Sequence, residues 1–191
     1  MRLFVAIDIA PSIRTAIAQF VEGVRGFAPD VRWVHPESLH ITLKFIGEWQ
    51  RLEELKQSLA AVRGEPVDIT FGGTGFFPTP KAARVFWIGV DAPPQLATLA
   101  GAIDAATSKL GIESEKRAFT PHLTLARSGS GRPQRSSRDR NNSLFQRLQD
   151  GLATMPSPTF GTMTAREFFL FESKLSPKGA QYTKLERFPL E

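Results

Sequence analysis

Two stretches of the chain, SLHITLKF at 38–45 and TPHLTLAR at 120–127, repeat one pattern: an alternating apolar run with a histidine two positions before a threonine. At a single offset of 82, Arg2 falls on Arg84, Phe4 on Phe86, Pro11 on Pro93, His40 on His122, Thr42 on Thr124 and Leu43 on Leu125. An internal duplication is the economical explanation. It constrains the fold strongly, because two related strand–helix–strand–helix–strand lobes would sit about a pseudo-two-fold axis. The equivalent His-x-Thr strands would then line opposite walls of one central cleft.

The segments around these anchors support that order. RLFVAIDI (2–9) is apolar and strand-like, and Pro11 opens a segment with Ile13, Ile17, Phe20 and Val24 at helical spacing. Residues 51–63 place Leu52, Leu55, Leu59 and Val62 on one helical face, and VDITF (67–71) reads as a strand. The second copy runs from a strand at 84–91 through a helix opened by Pro93 to HLTLAR. A short helix around 143–152, a strand near 159–165 and a C-terminal hairpin turning at Ser176–Gly179 complete the chain. FGGTGFFP (71–78) lacks the glycine spacing and the lysine–serine pair of a phosphate loop, and turn glycines explain it better.

In a strand, residues i and i+2 share a face. His40 and Thr42 therefore point one way, while Leu39, Ile41, Leu43 and Phe45 point into a core. His122 and Thr124 likewise oppose Leu123 and Leu125. Lys44 shares the His40 face, as a phosphate-attracting group or a group at the rim. Two imidazoles facing one cleft suit concerted proton transfer, one taking a proton from water while the other gives one to a leaving oxygen. Threonine hydroxyls beside them suit a phosphodiester, whose transition state gathers charge on its non-bridging oxygens. Arg127 adds a charged donor only if the strand ends or bends after Leu125, since strict alternation turns it away from His122.

Composition narrows the alternatives. The 191 residues suit one compact domain, with no cysteine and a net charge of +5. No apolar run approaches a membrane span, and the opening MRLFVAIDIAP, broken by Asp8, reads as a first strand; a cytoplasmic protein is the expectation. Residues 128–142 hold four arginines against one aspartate, and without them the charge is only +2. This segment reads as a mobile arginine-rich surface loop within a single domain of two interleaved lobes. A metal centre would need His35 as third ligand, but it sits five positions from His40, an unfavourable spacing on one strand, and no carboxylate cluster lies nearby. His35 reads as a loop residue, and Phe4 and Phe119 as core aromatics. No metal or other cofactor is expected, and none of the motifs offers a serine elbow or a cysteine nucleophile.

These motifs resemble those of the RNA 2′,3′-cyclic phosphodiesterases, also called 2′-5′ RNA ligases, of the two-histidine phosphoesterase superfamily. RLFVAIDI is similar to the family's opening strand, LHITLKFIGE to its first His-x-Thr motif, FFPTPKAARVFWIGV to its middle segment and FTPHLTLAR to its second motif. FFLFESKLSPKGAQYTKLERF resembles its C-terminal hairpin. The arginine-rich 128–142 segment departs from the pattern. The resemblance implies a bilobal α+β fold, each lobe an antiparallel-rich sheet with helices outside. It implies metal-independent opening of a 2′,3′-cyclic phosphate on RNA or a nucleoside to a terminal 2′-phosphate, by a monomer. It also implies the roles: His40 as proton donor to the 3′-oxygen, His122 as the base on water, and Thr42, Thr124 and Arg127 as phosphate ligands. Pseudo-symmetry alone leaves donor and acceptor interchangeable. A rival reading is an RNA-binding module held through the arginine loop, with incidental catalysis. Another keeps the two-histidine chemistry on a different phosphodiester.

Overall fold

The computed structural model describes residues 1–129 and 137–191, and only the backbone across 137–143. Strand β1 (Arg2–Asp8) buries Leu3 through Ile7. Pro11 then begins α1 (Pro11–Val24), where its missing N–H leaves no bond unmade, and Ile13, Ile17 and Val24 form the buried face. A two-residue strand, β2 (Arg32–Trp33), precedes β3 (His40–Glu48) and α2 (Leu52–Ala60). Next come β4 (Val67–Phe77), β5 (Val85–Asp91), α3 (Pro94–Ser108), β6 (His122–Arg127), α4 (Ser137–Ala153) and β7 (Thr159–Ala165). The hairpin of β8 (Glu167–Ser176) and β9 (Gly179–Pro189) closes the chain through the predicted turn, with Gly179 at φ +113°.

The strands form two antiparallel sheets, ordered β3-β1-β8-β9 and β2-β6-β5-β4-β7. Their inner orders match: β1 lies between β3 and β8 as β5 lies between β6 and β4. Neither sheet comes from one half of the sequence, because β4 crosses to pair with β5 and the C-terminal β8 returns to pair with β1. Helices α2 and α3 pack on each other, with α3 against β3, α2 against β9 and α1 against β7. The α+β architecture, its antiparallel sheets and its duplicated plan agree with the sequence reading.

Several local expectations need correction. The helix predicted around 143–152 begins at Ser137, Pro93 is the N-cap of α3 rather than its first residue, and β2 was not foreseen. Residues 130–136 of the expected arginine-rich loop lie outside the described residues. The glycines of FGGTGFFP are strand residues. A Cβ on Gly75 would lie 2.1 Å from the Trp87 ring, and one on Gly89 would lie 2.4 Å from the Gly72 carbonyl oxygen. Gly75 is small because the Trp87 indole lies across it, and Gly89 because the backbone of β4 approaches it closely.

The uniform offset of 82 also fails in the first strand. Asp8, Ala6 and Phe4 lie opposite His40, Thr42 and Phe45. Gly89, Trp87 and Val85 lie opposite His122, Thr124 and Arg127. The spatial offset between β1 and β5 is therefore 81, against 82 between β3 and β6. The matched pairs Arg2/Arg84 and Phe4/Phe86 are one residue out of phase, so Phe86 enters the main core while Phe4 lies on the opposite sheet face.

Candidate active site

Both histidines stand at the start of their strands, on neighbouring strands of different sheets. Each is fixed the same way. His40 Nδ1 lies 2.8 Å from the Ser38 carbonyl oxygen, and His122 Nδ1 lies 2.9 Å from that of Thr120. A carbonyl can only accept, so each Nδ1 carries a hydrogen and Nε2 is the nitrogen left to exchange protons. His40 Nε2 meets the Thr42 hydroxyl at 3.0 Å, so the two side chains share a face. Among the described residues the corresponding bond between His122 and Thr124 is not formed.

A bulge in each strand decides what comes next. Adjacent Val5 and Ala6 pair with Lys44 and Thr42, so Leu43 is the extra residue of β3. Adjacent Phe86 and Trp87 pair with Ala126 and Thr124, so Leu125 is the extra residue of β6. Both bulges sit one residue after the threonine and reset the alternation. Arg127 consequently rejoins the Thr124 face, as its expected role required. Phe45 rejoins the His40 face at the equivalent position and is 63% exposed, so the prediction that it enters the core is wrong.

The expectation for Lys44 fails for the same reason. The residue is 6% exposed and its ammonium turns inward, 2.5 Å from Asp104 Oδ1 on α3 and 2.6 Å from the Glu113 carbonyl oxygen. Burial favours the neutral form of Asp104, but hydrogen bonds from Lys44 and the Glu115 N–H prevail and hold its carboxyl below the usual range. Lys44 is a structural cation. His35 is exposed in a loop, as predicted.

The walls differ around the two histidines. Phe4 packs its ring 4.8 Å from that of His40, stacks on Phe171 at 5.1 Å, and meets Tyr182 edge-on at 5.0 Å. With Ala6 and Phe169 these rings form an apolar cluster separate from the main core, so Phe4 borders the site. Asp8, opposite His40, accepts from Arg14 Nη2 at 2.6 Å and from Lys184 Nζ at 2.6 Å. Arg14 also donates to the Pro36 carbonyl, tying α1 to the turn that delivers His40. Burial opposes ionisation of Asp8, yet Lys184 and Arg14 hold its carboxyl below the usual range.

The field at His40 follows. Burial lowers its pKa most; the Ser38 carbonyl and Asp8 act to raise it, while Arg127 and His122 lower it, and the net direction is downward from 6.5. β3 packs against β6, which sets His122 and Arg127 on the strand beside the one that carries His40. On the other wall His122 meets Phe77 edge-on at 5.0 Å, and Trp87 lies opposite Thr124. The Trp87 indole N–H is buried without a hydrogen-bond partner among the described residues.

Sequence reasoning missed Asp8, Lys184, Tyr182 and Trp87 as neighbours of the site. Only Asp8 left a signal, as the polar residue ending an apolar strand. Two surface cavities of about 500 and 520 Å³, one by α2 and β9 and one by α1, contain no histidine. Among the described residues no group of three His, Asp or Glu side chains is arranged to hold a metal ion, and no helix is long and apolar enough to cross a membrane.

Comparison with known proteins identifies the family and the fold. A family model described as the 2′-5′ RNA ligase superfamily matches residues 4–156. An RNA 2′,3′-cyclic phosphodiesterase of Archaeoglobus fulgidus is 37% identical over 190 residues, covering 98% of this chain and 99% of that protein. A solved structure of a Thermus thermophilus protein superposes with a TM-score of 0.77 at 30% identity, covering 100% of this chain and 98% of that one. Escherichia coli LigT complexed with 3′-AMP gives 0.77 at 28% identity, with 99% and 97% covered.

Proposed function

Because the chain belongs to the 2′-5′ RNA ligase superfamily, we propose that it is an RNA 2′,3′-cyclic phosphodiesterase that works by paired-histidine acid–base catalysis. One observation carries the mechanism: two imidazoles, each pinned at Nδ1 by a carbonyl two residues earlier, have Nε2 left for proton transfer. Relatives that bear the name act on RNA 2′,3′-cyclic phosphates, and the same substrate class is assigned to this chain.

His122 Nε2 takes a proton from water, whose oxygen attacks phosphorus. The bond from phosphorus to the 3′-oxygen breaks, and His40 Nε2 gives its proton to that oxygen. The product is a 2′-phosphate beside a free 3′-hydroxyl. The Thr42 and Thr124 hydroxyls and the Arg127 guanidinium hold the non-bridging oxygens as charge builds there. In the free protein burial disfavours the His40 imidazolium. A bound phosphodiester anion beside Nε2 reverses that balance, so the donor form assembles with the substrate. Phe45, exposed on the same face, supplies a flat apolar surface for the base. The chemistry calls for no metal, one chain supplies the whole site, and the cysteine-free composition fits the cytoplasm.

The test is turnover of nucleoside 2′,3′-cyclic phosphates in EDTA, with 2′- and 3′-phosphate products resolved. His40→Ala and His122→Ala should each lose roughly 10²–10⁴-fold; full activity in either sinks the mechanism. Replacing the 3′-bridging oxygen by sulfur separates the roles, since a thiolate leaves without protonation. The thio substrate should rescue His40→Ala, whereas rescue of His122→Ala would exchange donor and acceptor.

A further inference from the structure

Arg32 lies directly opposite Arg127 in the β2–β6 ladder, and both side chains are exposed. The next pair, Trp33 and Ala126, faces the core, with Trp33 edge-on to Phe86 at 6.0 Å. Arg32 therefore projects from the same face as Arg127, Thr124 and His122. Its Nε would lie 3.8 Å from a Cβ on Gly129, which places its guanidinium beside the chain just after Arg127. Arg14, Arg25, Arg51 and Arg187 each hold a carboxylate. Among the described residues neither Arg32 nor Arg127 has one, which they share with Arg2, Arg63, Arg84, Arg117 and Arg166; what sets these two apart is that they stand directly opposite each other. Like charges directly opposite across a ladder are unfavourable, and an anion held between them would offset that cost.

We propose that Arg32 forms a second phosphate subsite beside the catalytic one, taking the phosphate on the 5′-oxygen of the terminal nucleotide. This rests on the cyclic phosphodiesterase reading, which assigns Arg127 to the cyclic phosphate. Guanidiniums on adjacent strands, anchored about 4.8 Å apart, reach two neighbouring phosphates of one nucleic-acid strand. Each accepts the charge-assisted, forked bonds that arginine makes. The subsite selects substrates carrying a 5′-phosphate over nucleosides carrying only the cyclic one. That phosphate belongs either to an internucleotide link or to a 5′-monophosphate.

Three substrates test it: a nucleoside 2′,3′-cyclic phosphate, its 5′-phosphorylated form, and a dinucleotide ending in a cyclic phosphate. The wild type should favour the second and third through KM, and Arg32→Gln should erase that preference by about tenfold. Arg32→Lys should restore part of it. Preference for the dinucleotide alone would assign the subsite to an internucleotide phosphate rather than a free terminal one, and loss of that preference in Arg32→Gln would still support it. Equal losses on all three substrates, or an undiminished preference in Arg32→Gln, would overturn the subsite. Binding of adenosine 2′,5′-bisphosphate against adenosine 2′-phosphate gives the same comparison without catalysis. If the wild type hydrolyses no cyclic phosphate yet binds the bisphosphate more tightly through Arg32, the hydrolase reading fails and the subsite stands. Arg32→Gln should melt no lower than the wild type, because it removes a like-charge contact; a lower melting temperature with uniform loss would make Arg32 structural.

Discussion

At His40 the ring is enclosed by Phe4 and Tyr182 and lies opposite a braced carboxylate, whereas at His122 the ring contact is Phe77. The duplicated residues thus carry unequal surroundings, which a pair of acid–base groups needs if one is to give and the other to take. His40 should titrate below 6.5 in the free protein by NMR, chiefly from burial. Asp8→Asn removes a charge that favours the imidazolium, so the midpoint should fall further; a rise would exclude Asp8 from that role. Adding a 2′-nucleotide should move the midpoint up. The histidines and threonines were legible as residue types at repeated spacing, and Arg127 as a charged group just after the second copy. Lys184 and Tyr182 were not, and Asp8 only as the polar end of an apolar strand, because all three come from other strands: Asp8 lies opposite His40, Tyr182 packs on its ring and Lys184 holds Asp8.

Among the elements, β3 and β6 show how far a pattern of alternation carries. It holds from His40 to Thr42 and from His122 to Thr124, then fails at Leu43 and Leu125, where ladder pairing inserts one residue. Lys44→Ala should leave Asp104 partly buried without its cation and cost about 3 kcal/mol. Urea unfolding would show this as a lower midpoint at unchanged slope. Activity per folded molecule should persist, which a phosphate-binding lysine would not allow. Gly75→Ala tests the other sheet, since its Cβ would overlap the Trp87 ring. Overpacking there should cost about 1–3 kcal/mol and shift Trp87 fluorescence, while an unchanged melting temperature would contradict the close approach.

For the whole molecule, the exchange of β4 and β8 between halves ties the two sheets together. Each sheet lacks an inner strand until the other half of the chain is present, so the halves should unfold together. Fluorescence of Trp87, in one sheet, and of Trp49, just beyond β3 of the other, should report one coincident transition; separate midpoints would show independent lobes. Acid should weaken the fold at the Asp8 and Asp104 pairs. Both carboxyls titrate below their ordinary value of 3.8 when folded. Their stabilisation is present above that value and is lost as pH falls through the folded pKa. Asp104→Asn should flatten that part of the stability–pH curve.

The α+β class followed from the resemblance to a known family; the sequence by itself determined the duplicated plan, the two His-x-Thr faces and the chemistry two such imidazoles suit. These rest on side-chain periodicity and on residue types, both local properties. Only the tertiary structure decided that Phe45 faces outward, that Lys44 is a core cation, that Arg127 rejoins the Thr124 face and that Arg32 lies opposite it. It also shifted the first strand's offset from 82 to 81. The physical reason is that register belongs to pairs of strands: a bulge is a property of the hydrogen-bonded ladder, and neither strand carries it alone.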